Sequence, residues 1–254
     1  MCLLVVAFRL IPGTPLLIGA NRDEILERPA VPATVLRPDG PRILGGRDLR
    51  SGGTWLAVNE LGVFAGLTNQ PLGDARDPTR RTRGELPLAL ASHPTARFAV
   101  GDLLDTHRPE DYNGSWLLVG DRGSLYYIDF TGLVDVEAVA LPPGLYVLEN
   151  RPLGAPSPKA DHVARSLGEL PDAETATARL HTVLADHAVL EPRRADGPMS
   201  SASCVHLDGY GTRSSCIVRS GEADGDRPTL WVSDGPPCRA PFVDVSGLWT
   251  EAQV

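Results

Sequence analysis

The chemically most capable residue of this 254-residue chain is the cysteine in its second position. Aminopeptidases remove an initiator methionine when the next residue is small, and cysteine qualifies. Cys2 would then carry a free α-amine and a thiol on one residue. The amine titrates at about 7.7–8.0 and the thiol near about 8.5, so the amine can act as base for its own nucleophile at neutral pH. Acyl transfer at such a thiol also needs donors for the developing oxyanion and groups that orient the amine. Candidates stand at the ends of predicted strands: Arg22 and Asp23, Asn69, and Asn150. Each has a plainer alternative, since Arg22–Asp23 fits a surface ion-pair cluster and the asparagines fit strand-end turns. Their arrangement around a second-position cysteine favours a site.

Other chemistries find little support. The chain has no G-x-x-x-x-G-K-[ST], no H-E-x-x-H and no G-x-S-x-G. Gly209–Ser214 is glycine-rich but joins two predicted strands instead of opening a helix, which argues against a dinucleotide fingerprint. His93, His107, His162, His181, His187 and His206 are scattered without metal-ligand spacing, so no metal is expected. Cys204, Cys216 and Cys238 read as structural thiols, because four cysteines with no C-x-x-C pair do not make a disulfide scaffold.

The elements that must position Cys2 begin with a hairpin. Residues 3–10 and 16–20 are apolar and β-prone around Ile11-Pro12-Gly13-Thr14-Pro15, and Asn21-Arg22-Asp23-Glu24 follows where the second strand ends. Residues 28–53, rich in Pro, Gly and Arg, read as a long ordered loop. Its glycine-rich part, 45–53, is expected either to cover a pocket, with Arg47 and Asp48 meeting a polar ligand head, or to pack as a compact loop with an internal ion pair. A second hairpin is expected at 54–58 and 63–67. Helices are expected at 83–92 and 95–106, limited by Pro87 and Pro94. Strands follow at 115–119, 125–130, 134–140 and 145–148. Two helices, 159–170 and 173–186, come next, the latter with Ala176, Leu180, Val183 and Leu184 on one face. Strands return at 203–207, 213–219, 229–233 and 242–246, with exposed loops at 187–200 and 220–227. Strands, then helices, then strands predict a layered α+β fold in a single domain spanning 1–254.

Composition bounds the partners. Lys+Arg 24 against Asp+Glu 32 gives a net charge of −8, which argues against nucleic-acid or anionic-membrane binding. Lys159 is the only lysine. Cys2–Phe8 is too short and lacks the basic flank of a signal peptide, and no apolar run approaches the roughly 18–20 residues of a membrane span. A cytoplasmic protein acting on a small molecule is expected, with its oligomeric state open.

The ordered motifs resemble those of the NRDE proteins, the transport and Golgi organisation 2-like family. They are Met1-Cys2 leading into Ala7-Phe8, Asn21-Arg22-Asp23-Glu24, Gly45-Gly46-Arg47-Asp48, Gly52-Gly53-Thr54-Trp55-Leu56, Asn59-Glu60-Leu61-Gly62, Leu67-Thr68-Asn69 and Tyr210–Ser215. Two departures stand out: Glu149 precedes Asn150 where the family has serine, and Cys216 stands where it has threonine. More distantly, the family is similar to N-terminal-nucleophile hydrolases of the penicillin acylase and bile-salt hydrolase type. That similarity implies a four-layer αββα sandwich with antiparallel sheets. It also implies Cys2 as nucleophile, Asp23 holding its amine, Arg22 favouring the thiolate, Asn69 at the oxyanion hole, and Asn150 at the amine or the intermediate. Arg213 would take a substrate or structural role. The implied activity is cleavage of a linear non-peptide amide through a thioester, with no cofactor. The resemblance also implies an alternative, ranked second, a non-catalytic carrier or chaperone of haem or acyl-CoA and lipid in the same pocket.

Overall fold

A computed structural model describes residues 2–71, 76–192, 201–221, 223 and 225–250. The N-terminal apolar run forms β1 (Cys2–Ile11), which turns through Gly13 at φ +69° into β2 (Thr14–Ile25). Residues 28–53 are not a loop. They contain β3 (Ala30–Arg37) and β4 (Ile43–Asp48), which pair antiparallel with two register shifts. β5 (Leu56–Asn59) and β6 (Phe64–Asn69) form the expected second hairpin. Helices α1 (Glu85–Leu90) and α2 (Ala96–Thr106) follow, then β7 (Ser115–Gly120), β8 (Leu125–Phe130), a three-residue β9 (Ala138–Ala140) and β10 (Gly144–Leu148). After α3 (Pro158–Leu167) and α4 (Ala173–Leu184), the chain ends in β11 (His206–Leu207), β12 (Tyr210–Arg219), β13 (Thr229–Ser233) and β14 (Val243–Asp244). The strand expected at 203–207 thus shrinks to two residues and that at 242–246 to two. Of the loops expected at 187–200 and 220–227, residues 193–200, 222 and 224 lie outside the described residues, as does Met1.

Two antiparallel sheets result. One has the order β10-β1-β2-β12-β13-β14, with β11 paired to β12; the other runs β3 to β9 in chain order. Period-two alternation decides what each face meets. Leu4, Val6, Phe8, Leu16, Ile18 and Ala20 pack in one core with Leu44, Leu56, Val58, Phe64 and Leu118 of the second sheet. Leu3, Val5, Ala7 and Leu17 take the opposite face and meet Val163 and Leu167 of α3 and Leu180 and Val183 of α4. The second sheet likewise turns Ala65, Leu67, Leu117 and Val119 to Leu86 and Leu90 of α1 and Val100 and Leu103 of α2. The stretches 3–8 of β1 and 16–20 of β2 are therefore buried on two faces, which is why they are continuously apolar (with Gly19) rather than alternating. The expected face of α4 is the buried one. Pro87 is accommodated because it falls in the first turn of α1, where its missing N–H has no intrahelical acceptor to lose.

Candidate active site

The register of the first hairpin sets Cys2 directly opposite Arg22. Strand parity places both on the face shared with Leu4, Val6 and Ala20, toward the second sheet. On its other edge β1 pairs with β10 through Leu4↔Leu148, so the chain leaving β10 delivers Asn150 to Cys2. The Cys2 backbone nitrogen donates to Asn150 Oδ1 at 3.0 Å, and Asn150 Nδ2 donates to the Asn69 carbonyl at 2.5 Å. Five of the expected residues (Cys2, Arg22, Asp23, Asp48 and Asn69) line one open cleft of about 430 Å³, and Asn150 is bonded to Cys2 and Asn69. Cys2 itself is half-buried.

Each group is held by neighbours the sequence encodes. Asn21 turns away from Cys2: its Nδ2 donates to the carbonyls of Leu184 and Ser203 at 2.8 Å, and its Oδ1 accepts from Ser215 Oγ. It ties the end of β2 to α4 and to the chain before β11. Arg22 is buried, donates through Nη2 to Asp48 at 2.9 Å, and stacks 4.5 Å from the Trp55 ring centre. Among the described residues its buried Nη1 has no hydrogen-bond partner. Asp23 accepts from Thr212 Oγ1 at 2.6 Å, and its carbonyl accepts from Tyr210 Oη at 2.9 Å. The second glycine of Gly45-Gly46 exists for this packing, since a Cβ at 46 would lie 2.1 Å from the Trp55 ring.

Burial dominates the electrostatics. It pushes the Cys2 thiol up, against the positive chain terminus, a backbone N–H of Asp23 and Arg22, which lower it. Burial also raises the Asp23 carboxyl, with the chain terminus, Lys159 and Thr212 acting the other way. Asp48 differs: burial would raise it, but hydrogen bonds from Arg28 and from Ser51 outweigh that and hold it at about 2.

Arg47 and Arg213 are not brought to the cleft. Arg47 donates to the Leu36 carbonyl across the β3–β4 hairpin, and Arg213 sits behind Arg28, reaching its carbonyl at 3.5 Å. Alternation along β4 explains the first, because its neighbour Asp48 takes the cleft face. In their place stand arginines that motif spacing did not single out: Arg28, Arg50, Arg76, Arg80 and Arg83. Arg83 is lowered to about 10 by burial and then by Arg76, and remains a cation at neutral pH. Two glycines deliver it. The backbones of Gly53 and Gly84 touch so closely that a Cβ on Gly53 would lie 2.6 Å from the Gly84 Cα, and Thr54 N donates to the Gly84 carbonyl at 3.0 Å.

Glu149, the departure before Asn150, is buried and accepts from Ser157 Oγ; Arg151 lies 3.4 Å away and the sole lysine, Lys159, 4.0 Å away. It neutralises a lysine that is itself buried. Cys216 is a buried thiol raised to about 12 by desolvation, in keeping with a core role. The scatter of histidines along the sequence does not persist in space: His187 and His206 converge with Cys204 and Cys238.

The family model for Transport and Golgi organisation 2 matches residues 1–224. The Transport and Golgi organization protein 2 homolog of Bos taurus is 31% identical over 244 residues, covering 83% of each chain, and that of Homo sapiens is 30% identical over 238 residues with the same coverage. Among solved structures, a mutant of the conjugated bile acid hydrolase from Clostridium perfringens aligns with a TM-score of 0.56 at 12% identity, covering 99% of this chain and 95% of its own. The Caenorhabditis elegans orthologue of N-acylethanolamine-hydrolyzing acid amidase gives 0.55 at 12% over 85% and 92%. Penicillin V acylase from Agrobacterium tumefaciens gives 0.51 at 11% over 97% and 86%. These neighbours are N-terminal-nucleophile hydrolases, and at such identities they speak for the fold alone. The chain, with an Ntn-hydrolase-like fold, belongs to the transport and Golgi organisation 2 family.

Proposed function

We propose that the protein is a cysteine N-terminal-nucleophile amidohydrolase acting on a linear, non-peptide amide. The observation that carries this reading is the register pairing of Cys2 with Arg22, with Asn150 on the Cys2 nitrogen and both strand ends opening into one cleft. The thiol is raised by its surroundings, so it waits as S–H and needs a base at the moment of attack. The α-amine exposed by loss of Met1 is that base. It takes the thiol proton as sulfur bonds to the amide carbon and the carbonyl becomes an oxyanion facing Asn69. Collapse breaks the C–N bond, and the ammonium returns the proton to the leaving amine. Water then attacks the thioester, giving its proton to the amine, and the carboxylic acid departs as the thiol is restored. Asn150 orients the amine and Arg22 offers positive charge beside the sulfur.

The arginines of the rim favour an amide that carries an anionic group, and the bile-acid, N-acylethanolamine and penicillin V enzymes that share the fold suggest acylated amines for a first substrate panel. Intact mass of the purified chain is expected to show Cys2 as the first residue. Turnover of one N-acyl substrate is expected to fall at least about 10³-fold in Cys2→Ala, the scale of losing a nucleophile. Retained Met1, or undiminished turnover in Cys2→Ala, sinks the reading. A saturable ligand with no turnover supports the carrier alternative instead.

A further inference from the structure

Among the described residues, one group of His, Cys, Asp or Glu side chains has the mutual distances of a metal-binding set, and it lies outside the cleft. It consists of His187 after α4, Cys204 just before β11, His206 in β11, and Cys238 in the chain after β13, with one donor atom from each within 4.8 Å of the others. The resolved edges are Cys204 Sγ–Cys238 Sγ at 3.7 Å, Cys204 Sγ–His206 Nε2 at 3.5 Å and His206 Nε2–Cys238 Sγ at 3.3 Å. A tetrahedral zinc ion with bonds of about 2.3 Å to sulfur and about 2.05 Å to nitrogen requires S–S edges of about 3.8 Å and S–N edges of about 3.6 Å. The observed edges fall within a few tenths of an ångström of both. His187 adds the fourth donor. Its Nδ1 lies 3.2 Å from the Cys204 carbonyl, which can only accept, so Nδ1 carries the proton and Nε2 keeps the lone pair. A histidine whose second nitrogen is fixed by a carbonyl is the usual arrangement at metals.

The geometry points to a structural zinc site of the Cys₂His₂ type at His187, Cys204, His206 and Cys238. A disulfide between the two cysteines would need the sulfurs at about 2.05 Å, and it would not require two imidazoles facing the same sulfurs. Four protein donors complete a tetrahedron and leave no position open for substrate, so the ion is structural rather than catalytic. Its place explains its use. Cys204 N donates to the Asp186 carbonyl, Ser203 O accepts from Asn21, and Val205 N donates to Thr212 Oγ1, whose hydroxyl donates to Asp23. The ion would clamp the end of α4 and the chain after β13 onto the segment that fixes Asn21 and Asp23. These four residues are positioning residues for the β2 terminus, and none touches Cys2.

The test is metal analysis of the full chain, purified without a polyhistidine tag. Inductively coupled plasma mass spectrometry is expected to find about one zinc per chain. Cys238→Ser at the half-buried ligand, and separately His206→Ala, are expected to reduce it at least about tenfold while circular dichroism shows a folded chain. Cobalt-exchanged wild type should show thiolate charge-transfer and intense tetrahedral ligand-field bands that Cys238→Ser lacks. Three results would overturn the site. The first is equal metal content in wild type and variants. The second is a wild type with neither zinc nor the tetrahedral cobalt spectrum. The third is a freshly isolated protein in which Cys204 and Cys238 have no free thiols because they are joined to each other.

Discussion

Asp48 neutralises two guanidinium groups at once, Arg22 at 2.9 Å and Arg28 at 2.5 Å, and the chain turns after it to bring the Ser51 N–H onto the same carboxylate. Replacing it by asparagine strands both cations in a poorly hydrated site. Loss of one partner of a buried pair typically costs 3–5 kcal/mol. For Asp48→Asn about 3 kcal/mol is expected at neutral pH, read from urea denaturation. The pH dependence has a definite sign. A carboxyl held at about 2 when folded and at 3.8 when free binds a proton first in the unfolded chain. Its stabilisation is therefore complete above about 4 and fades as pH falls toward about 2. The gap between wild type and Asp48→Asn should narrow over that interval. A gap that stays constant down to about pH 2 would show that Asp48 acts by packing rather than by charge. At this scale the sequence was informative where the chemistry is local to a hairpin: Cys2, Arg22 and Asp23 converge because one turn dictates their register. It was uninformative for Arg47, whose cleft-averted direction depends on strand parity within a segment that carried no strand signal. Nor could it reveal the His187–Cys238 cluster, whose members are brought together only by the closing of separate elements.

Elements were legible to the degree that burial is periodic or complete. Residues 3–8 of β1 and 16–20 of β2 form unbroken apolar runs because both faces are covered there, and α4 shows its stripe. β3 escapes such detection for a physical reason: nearly all its residues are half-buried, so no alternation exists to be read, and Pro32 is tolerated because the strand is a sheet edge. Glycines separate positions where an element must be approached closely from positions where it merely tolerates the residue. Gly53→Ala sets a methyl 2.6 Å from the Gly84 backbone, which cannot retreat like the end of a flexible side chain. Overpacking of this kind costs 1–3 kcal/mol, and here about 2 kcal/mol is expected together with weaker ligand binding, since Arg83 adjoins Gly84. Gly101 in α2 is the contrast: a Cβ there meets nothing within 4 Å among the described residues. Gly101→Ala should raise stability by about 0.8 kcal/mol through helix propensity alone. Urea midpoints of the two variants moving in the same direction would contradict this assignment of the glycines.

Taken whole, the molecule carries a net charge of −8 yet gathers Arg22, Arg28, Arg50, Arg76, Arg80 and Arg83 around one cleft. Net charge and local field therefore point in opposite directions, and a net negative charge that disfavours polyanionic surfaces does not disfavour a small anion in the cleft. Several of these cations are already committed: Arg22 and Arg28 to Asp48, Arg80 to the Tyr112 carbonyl at 2.7 Å and to Asp77 at 3.5 Å. Arg83 differs in kind, because among the described residues its hydrogen-bond partner is a neutral carbonyl, Gly114 O at 3.1 Å, with no carboxylate ion-paired to it, and burial together with Arg76 disfavours its charge. An anion entering the cleft would relieve that cost. On this basis an N-acyl amino acid should bind the Cys2→Ala protein more tightly than the corresponding neutral N-acyl ethanolamide, as measured by calorimetry. Arg83→Gln should erase about tenfold of that preference, about 1.4 kcal/mol, while leaving the neutral ligand within about twofold. Because the cleft is open to solvent, the preference should also shrink as ionic strength rises and the Debye length contracts from about 30 Å at 0.01 M to about 3 Å at 1 M. A preference that is absent, or that survives both Arg83→Gln and high salt, would place ligand selection in the apolar contacts of Trp55 and Leu67 rather than in the arginines.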